Sequence, residues 1–295
     1  MRNVRNILIL LLMCLLPANV AAKSKKSEPE LDESTKQRFL YYYYEAQRLY
    51  KKADYQSAYM LIEFCHRLSP NDAVINQYMG DFFFGFKRAD LALPFYELSY
   101  RKDPKNEMIL GRLQQVYYYT RNTKKAIQIQ DLLDKRDGYN FYSAVQRYRI
   151  YASVADVKNA LKEAERYLKQ DSMSVEFHLM RLDALEVMKT PKKKLEEAYN
   201  QVLRLDPENV TVMNNYAYFL SMHKGDLKKA EEMSRYAVQA EPNNPVFIDT
   251  YAWILFLRGE KSLAQMYIRQ AMHEYNEQKI PDDVLYHYQV IMNSK

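Results

Sequence analysis

The chain has 295 residues, of which 48% are hydrophobic, and a formal net charge of +6. It contains 27 tyrosines but only 6 glycines, too few for a glycine-rich nucleotide loop or for a β-barrel with many tight turns. A positive charge this small and diffuse is also not typical of nucleic-acid binding, so we predict a mostly helical chain with no nucleic-acid partner.

Residues 1–22 have the pattern of a secretory signal peptide. The segment starts with two arginines, continues with an apolar run over residues 7–16, and ends on the small residues VAA. The apolar run is too short to span a bilayer comfortably, although a retained anchor is the alternative. A lipoprotein is disfavoured because Met13, rather than a small residue, precedes Cys14.

Cleavage after residue 22 changes what the mature chain can do. It removes both leader arginines, which lowers the net charge to +4, and it leaves Cys65 as the single cysteine. No internal disulfide is then possible, which suits export across the inner membrane of a bacterium. We predict a periplasmic or outer-membrane-associated protein without an integral membrane span, and we expect Cys65 to be a small buried hydrophobe.

Residues 23–36 are charged and poor in apolar groups, so we expect a flexible leader there. A repeat follows. The segments AYMLIEFCHRLSP, ALPFYELSYRKDP and AEEMSRYAVQAEP each place a proline twelve residues after an alanine. Extending this register with steps of 34 or 35 residues gives a first ladder at Ala58, Ala92, Ala126, Ala160, Leu195, Ala230 and Ala264. A second ladder, seven residues further on, reads Cys65, Ser99, Leu133, Tyr167, Val202, Ala237 and Ala271.

This period and pattern resemble the tetratricopeptide repeat (TPR) family, whose repeats are pairs of antiparallel helices. The resemblance implies an all-α fold: a right-handed α-solenoid of about seven TPR helix pairs over residues 37–278. Residues 279–295 are expected to form a C-terminal capping helix, as the exposed end of a solenoid requires. The small residues of the ladders suit close helix crossings, where a larger side chain overpacks at a typical cost of about 1–3 kcal/mol.

Some positions depart from the repeat pattern. Gly138 and Ser172 stand where the closing proline is expected, and Leu195 stands in an alanine slot. Gly225 and Gly259 fall where a turn between two helices of a repeat is expected to carry glycine.

Four consecutive tyrosines, residues 41–44, open the first repeat. Successive helical residues point about 100° apart, so four in a row cover the whole circumference and cannot all be core. In the repeat register Tyr42 faces the second helix of its own repeat and Tyr43 faces the concave side. The run is therefore interpreted as partly an end cap and partly a binding surface.

Partners of TPR proteins usually lie along the concave face made by the first helix of each repeat. By this resemblance, the predicted partner-binding groove consists of Tyr43, Tyr50, Phe84, Tyr118, Tyr119, Tyr142, Phe177, Met180, Phe219, Met222, Trp253 and Phe256. Aromatic and methionine side chains are common anchors at binding surfaces, so we expect an apolar or aromatic-bearing peptide as the ligand. The alternative is that many of these side chains pack against neighbouring helices.

Nothing in the sequence indicates catalysis, a metal site or a cofactor. The five histidines have no partner at a metal-binding spacing, and no nucleophile elbow or phosphate loop is present. Of the slots that hold a C-terminal carboxylate in one TPR subtype, only Arg112 matches.

The preferred hypothesis is a non-catalytic scaffold that binds protein or peptide partners in the bacterial cell envelope. Its role would be to help assemble an outer-membrane or secretion complex. The alternatives are a glycan-binding envelope protein, because tyrosine and tryptophan faces also stack on sugars, or an architectural spacer that forms homo-oligomers.

Overall fold

The computed structural model describes residues 31–104, 106–275 and 279–294. In those residues the chain forms fifteen helices and no strand, and it divides into two compact units, Met1–Pro70 and Asn71–Lys295. None of the described helices is both long enough and apolar enough to traverse a bilayer.

The first unit contains one helix pair, α1 (Glu33–Lys51) and α2 (Tyr55–Leu68). The second unit contains α3 (Ala73–Gly85), α4 (Ala89–Lys102), α5 (Glu107–Tyr119), α6 (Thr123–Asp137), α7 (Phe141–Ala152), α8 (Val157–Leu168), α9 (Val175–Val187), α10 (Lys192–Leu205), α11 (Val210–Met222), α12 (Leu227–Ala240), α13 (Pro245–Leu257), α14 (Lys261–Tyr275) and α15 (Asp282–Asn293). The predicted all-α fold of successive helix pairs followed by a final helix is confirmed in the described residues.

Helix α1 begins four residues earlier than predicted. The Asp32 carboxylate accepts a hydrogen bond from the backbone N–H of Thr35 at 3.0 Å, which caps the helix. Residues 33–36, assigned to the flexible leader from their composition, are therefore helical. The predicted signal peptide, residues 1–22, and the first part of the leader, residues 23–30, lie outside the described residues.

The four consecutive tyrosines of α1 have different surroundings, as helical geometry requires. The Tyr42 ring packs on Phe64 of α2, with 5.6 Å between ring centroids. Tyr41 and Tyr44 are exposed, whereas Tyr43 is half-buried. The prediction that Tyr42 faces the second helix of its own repeat is confirmed.

Small residues occupy the closest helix crossings in both units. The ladder alanines are buried with 0–2% of their surface exposed: Ala58, Ala92, Ala126, Ala160, Ala230 and Ala264. Leu195, in the alanine slot of the fifth pair, is also buried. Cys65 is fully buried, which confirms the expectation that it serves as a small hydrophobe. A larger side chain at any of these positions would push two helices apart.

Each turn between the two helices of a pair contains one residue in the left-handed backbone region. Six of these residues are not glycine and have φ between 51° and 61°: Ala53, Lys87, Arg121, Ala155, Lys189 and Lys224. In the seventh pair the position is Gly259, with φ of 87°. Gly225 has a different reason to be glycine, because a Cβ there would lie 2.7 Å from Leu220 Cδ2.

The C-terminal helix α15 packs against both α13 and α14. Its buried side chains are Val284, His287 and Ile291. The His287 imidazole lies 3.0 Å from a carboxylate oxygen of Asp249 on α13, and its ring stacks on Trp253 with 4.3 Å between centroids. The capping helix is thus held by apolar burial and by one buried polar pair.

Candidate functional site

The first unit contains two of the twelve predicted groove residues. The Tyr43 ring stacks on Phe39 and lies beside Tyr44, with centroid separations of 6.4 and 5.5 Å. Tyr50 is exposed and meets Tyr55 edge-on at 5.1 Å. Both tyrosines therefore retain ring surface that a partner could contact, and their proposed binding role stays a prediction.

Three of the predicted groove residues are buried rather than exposed. Phe177 is 0% exposed, and Phe219 and Trp253 are each 8% exposed. Phe177 stacks on Tyr167 at 4.2 Å, and Phe219 stacks on His223 at 4.3 Å. The expectation that these three side chains face an open surface is wrong, because neighbouring helices and, for Trp253, helix α15 cover them.

The remaining predicted residues of the later repeats have mixed environments. Met180 and Phe256 are half-buried, and the Phe256 ring stacks on Trp253 at 5.6 Å. The backbone carbonyl of Met180 accepts a hydrogen bond from the Tyr148 hydroxyl at 2.9 Å. Met222, at the end of α11, is exposed.

An aromatic cluster joins the first helices of the second and third pairs. The Phe84 ring on α3 meets Tyr119 of α5 edge-on, with 5.5 Å between centroids. Tyr119 in turn lies 5.3 Å from Tyr118. Tyr119 is 64% exposed, whereas Phe84 and Tyr118 are half-buried. The two half-buried rings fix the position of an exposed one, an arrangement that suits an anchor for an apolar group.

A polar cavity of about 200 Å³ opens between α5, α6 and α7. We call it the amide cavity because its lining includes Gln114, Gln115, Gln130, Gln146 and Asn140, together with Tyr142. Tyr142 is 70% exposed.

Hydrogen bonds order the floor of the amide cavity. The side-chain amide of Gln114 donates to Gln130 Oε1 at 3.4 Å, and that of Gln130 donates to Asp134 Oδ1 at 2.7 Å. Gln114 and Gln130 are buried, whereas Gln115 is exposed and Gln146 is half-buried. Each primary amide offers both donors and an acceptor, so this wall can pair with another amide or a peptide backbone.

The acidic groups beside the amide cavity are neutralised by a buried arginine. Arg147 Nε donates to Asp134 Oδ2 at 2.9 Å, and Arg147 Nη2 donates to Asp131 Oδ1 at 2.5 Å. Burial of the guanidinium acts to lower the pKa of Arg147, but the hydrogen bonds to the two carboxylates outweigh it and raise the pKa. These ion pairs hold the guanidinium and the two carboxylates in fixed positions beside the cavity.

Comparisons with known proteins agree with this architecture. The tetratricopeptide repeat family model matches residues 198–232. The C-terminal part of a TPR repeat-containing protein from Cytophaga hutchinsonii has the same fold, with a TM-score of 0.62 and 14% identity over 84% of this chain and 98% of that chain. The chain therefore has the TPR fold, and the family model identifies a tetratricopeptide repeat at residues 198–232.

Two further relatives are also TPR proteins. A TPR protein from Parabacteroides merdae is 16% identical, with a TM-score of 0.48, over 87% of this chain and 100% of that chain. Tetratricopeptide repeat protein 21A of Mus musculus is 28% identical over 113 residues. That match spans 37% of this chain and only 8% of the mouse protein.

The structure accounts for the one TPR carboxylate-clamp residue that the sequence retains. Arg112 on α5 is paired with Asp81 on α3, and its Nη2 donates to Asp81 Oδ2 at 3.0 Å. The Tyr96 hydroxyl donates to the same carboxylate at 2.8 Å. Arg112 therefore joins two TPR helix pairs, and its guanidinium already has a carboxylate partner.

The TPR fold indicates a protein-interaction scaffold, and TPR proteins are generally non-catalytic. Among the described residues, no group of three or more histidine, cysteine, aspartate or glutamate side chains is placed to hold a metal ion.

Sequence reasoning missed the amide cavity because its glutamines do not recur at the repeat period. The spacing between facing residues of the two helices in a pair could nevertheless have indicated it. Residues sixteen apart face each other within a TPR pair, as Gln114 does with Gln130 and Tyr251 does with Tyr267, whose rings lie 4.9 Å apart. Applying that spacing to the third repeat would have placed Gln114 opposite Gln130.

Proposed function

We propose that this TPR protein is a non-catalytic scaffold that binds a protein partner on the surface formed by α3, α5 and α7. The observation that supports the proposal is the pairing of an exposed aromatic anchor, Tyr119, with an amide-lined cavity whose rim carries exposed Tyr142. This surface retains four of the predicted groove residues: Phe84, Tyr118, Tyr119 and Tyr142.

The aromatic part of this surface suits the side chains of an extended peptide, and its amide-lined part suits the peptide backbone. Exposed tyrosine rings provide large contact area at low conformational cost, so they bind apolar or aromatic side chains. The side-chain amides of Gln115 and Gln146 can donate to and accept from a peptide backbone. An extended segment with an aromatic residue is therefore the ligand class that this surface favours.

We place this scaffold in the bacterial cell envelope, in the periplasm or at the outer membrane. The support is the sequence of residues 1–22, which has the basic start, apolar run and small-residue end of an export signal. In that location the partner would be a component of an outer-membrane or secretion complex.

The proposal is tested by affinity capture from intact envelopes of the native host, followed by mass spectrometry. We expect Y119A/Y142A to lose the captured partner while its helical circular dichroism stays unchanged. The matched control Y236A/Y286A removes two exposed tyrosines elsewhere in the second unit, and it should capture normally. Equal capture by both double variants would show that the α3–α7 surface is not the binding site.

A binding screen addresses the glycan alternative directly. Purified chain is titrated with a library of aromatic-bearing peptides and with cell-wall glycan fragments. Saturable binding of peptides that depends on Tyr119 and Tyr142 supports the scaffold hypothesis, whereas binding of glycans alone contradicts it.

A further inference from the structure

The turns between the two helices of each pair lie at one edge of the second unit, because consecutive helices run antiparallel. Two neighbouring turns at that edge are rich in lysine. Together with the start of the helix that follows each of them, they carry Lys189, Lys192, Lys193, Lys194, Lys224, Lys228 and Lys229. We call this surface the lysine-rich edge.

The structure holds the two lysine-rich turns side by side. The Lys192 ammonium donates to the backbone carbonyl of His223 at 3.0 Å, which bridges from one turn to the next. Lys229 lies over the Tyr216 ring, with its ammonium 4.5 Å from the centroid. These two lysines therefore have structural partners, and they fix the spacing of the cationic surface.

The other five lysines of this edge are exposed and have no ion-pair partner among the described residues: Lys189, Lys193, Lys194, Lys224 and Lys228. The preceding turns of the same edge add further exposed lysines at Lys87, Lys124 and Lys158. Lys192 is paired with Glu196 at 3.6 Å, and within residues 188–195 and 223–229 the one acidic residue is Asp226. The two turns therefore carry a local excess of positive charge, which suits an external anion.

The opposite edge of the second unit carries charges of both signs. An acidic residue recurs there at the repeat spacing, where each second helix ends: Asp103, Asp137, Asp171, Asp206 and Glu241. Exposed lysines such as Lys135 and Lys169 lie at the same helix ends, so the charges of that edge are mixed and show no comparable excess of lysine.

Exposed apolar side chains lie directly beside the lysines. Val187 and Met188 precede Lys189, and Val187 is 66% exposed. Met222, which is also exposed, ends the helix before Lys224. A soluble polyanion makes no use of such side chains, whereas a bilayer interface accepts apolar groups among its acyl chains and lysines beside its phosphates.

We propose that the lysine-rich edge docks this protein on the surface of an anionic phospholipid bilayer. The lysine ammonium groups pair with lipid phosphates, and Val187, Met188 and Met222 enter the headgroup boundary. None of the residues named for this contact belongs to the α3–α7 surface, so membrane docking and partner binding can be tested with different variants.

The test is co-sedimentation of the full chain with vesicles. Phosphatidylcholine vesicles are compared with vesicles of phosphatidylcholine and phosphatidylglycerol at about 3:1, a composition that gives a negative surface potential. We expect stronger binding to the anionic vesicles. Each lysine near an anionic surface contributes about fivefold in affinity, so K193Q/K194Q should reduce the preference for anionic vesicles about 25-fold. Raised salt should weaken the preference as well, because it screens exposed charges.

The control is K135Q/K169Q, which removes two exposed lysines at the ends of second helices, on the opposite edge. It changes the net charge equally and should leave vesicle binding intact. If both double variants lost vesicle binding equally, net charge alone would explain the effect and the proposal would be wrong. Equal binding of the unchanged chain to neutral and anionic vesicles would also contradict it.

A second variant separates a bilayer from a soluble polyanion. V187S/M188S should weaken binding to the anionic vesicles while leaving binding to immobilised heparin unchanged. Vesicle binding that is insensitive to V187S/M188S would show that charge alone is recognised, and it would contradict docking at a bilayer.

Discussion

At the scale of single residues, the left-handed position in each turn shows how little the backbone depends on glycine here. Lysine, arginine and alanine adopt φ near +55° at six of the seven positions. Each turn is closed by a backbone hydrogen bond, such as the one from Thr190 N–H to the Leu185 carbonyl at 3.1 Å. The packing of the two helices and this hydrogen bond impose the conformation, at a cost of about 1 kcal/mol for a non-glycine residue.

The seventh turn provides a test of that cost. Gly259→Ala adds a side chain at φ of 87° and should lower the free energy of unfolding by about 1 kcal/mol. Chemical denaturation followed by circular dichroism measures the change.

Gly85→Ala is the matched control, because Gly85 is helical, has no positive φ, and offers open space to an added Cβ. It should be neutral or stabilising, since alanine favours a helix over glycine by about 1 kcal/mol. A Gly259→Ala variant as stable as Gly85→Ala would mean that the seventh turn relaxes without strain.

At the scale of helices, the seam between α13 and α15 combines apolar burial with a buried polar pair. Asp249 and His287 are 5% and 1% exposed. Burial raises the pKa of Asp249, and the hydrogen bond to His287 opposes that rise. Trp253, the single tryptophan of the chain, stacks on the His287 ring, so its fluorescence reports on the docking of α15.

Removing one member of the pair should release the last helix. His287→Leu leaves the Asp249 carboxylate buried without its partner, which we expect to cost about 3 kcal/mol at neutral pH. Asp249 in the variant has a folded-state pKa raised above its unfolded value, so the folded state is favoured most when the group is protonated. Relative to the unchanged chain, the variant should therefore lose less stability near pH 4 than near pH 7, because an Asp with a raised pKa is increasingly protonated as the pH falls.

The double variant D249L/H287L is the control for this prediction. Because it leaves no unpaired polar group, its loss of stability should be smaller than the sum of the two single losses. Tryptophan fluorescence and circular dichroism, recorded together, separate undocking of α15 from general unfolding. If the stability loss of the double variant equalled the sum of the two single losses, Asp249 and His287 would not be coupled.

At the scale of the whole molecule, the sequence predicted the structural features that recur at the repeat period and few of the features that occur only once. Ala92 and Ala126 could be placed in the core because a close helix crossing admits only a small side chain. Trp253 and Phe177 were misassigned because their burial depends on which neighbouring side chains cover them, and a repeat register does not contain that information. The amide cavity depends on a pairing of Gln114 with Gln130 that occurs in one repeat only.

Export is the prediction that concerns the entire chain. Expression of the full sequence in a Gram-negative host should yield a periplasmic or outer-membrane protein that begins at Lys23, because residues 1–22 have the features of a cleaved signal. Intact-mass measurement of fractionated cells identifies the N-terminus. A chain recovered from the cytoplasm with residues 1–22 attached would contradict the envelope location.

The left-handed turns also affect how the protein can change over time. Lysine, arginine, alanine and glycine all occupy this position, and the difference of about 1 kcal/mol between them leaves the stacking of helices in place. The turns of the second unit can consequently diversify under selection while its buried helix crossings stay constant. Related chains can be expected to share the buried alanines and yet differ widely in the charge and polarity of those turns.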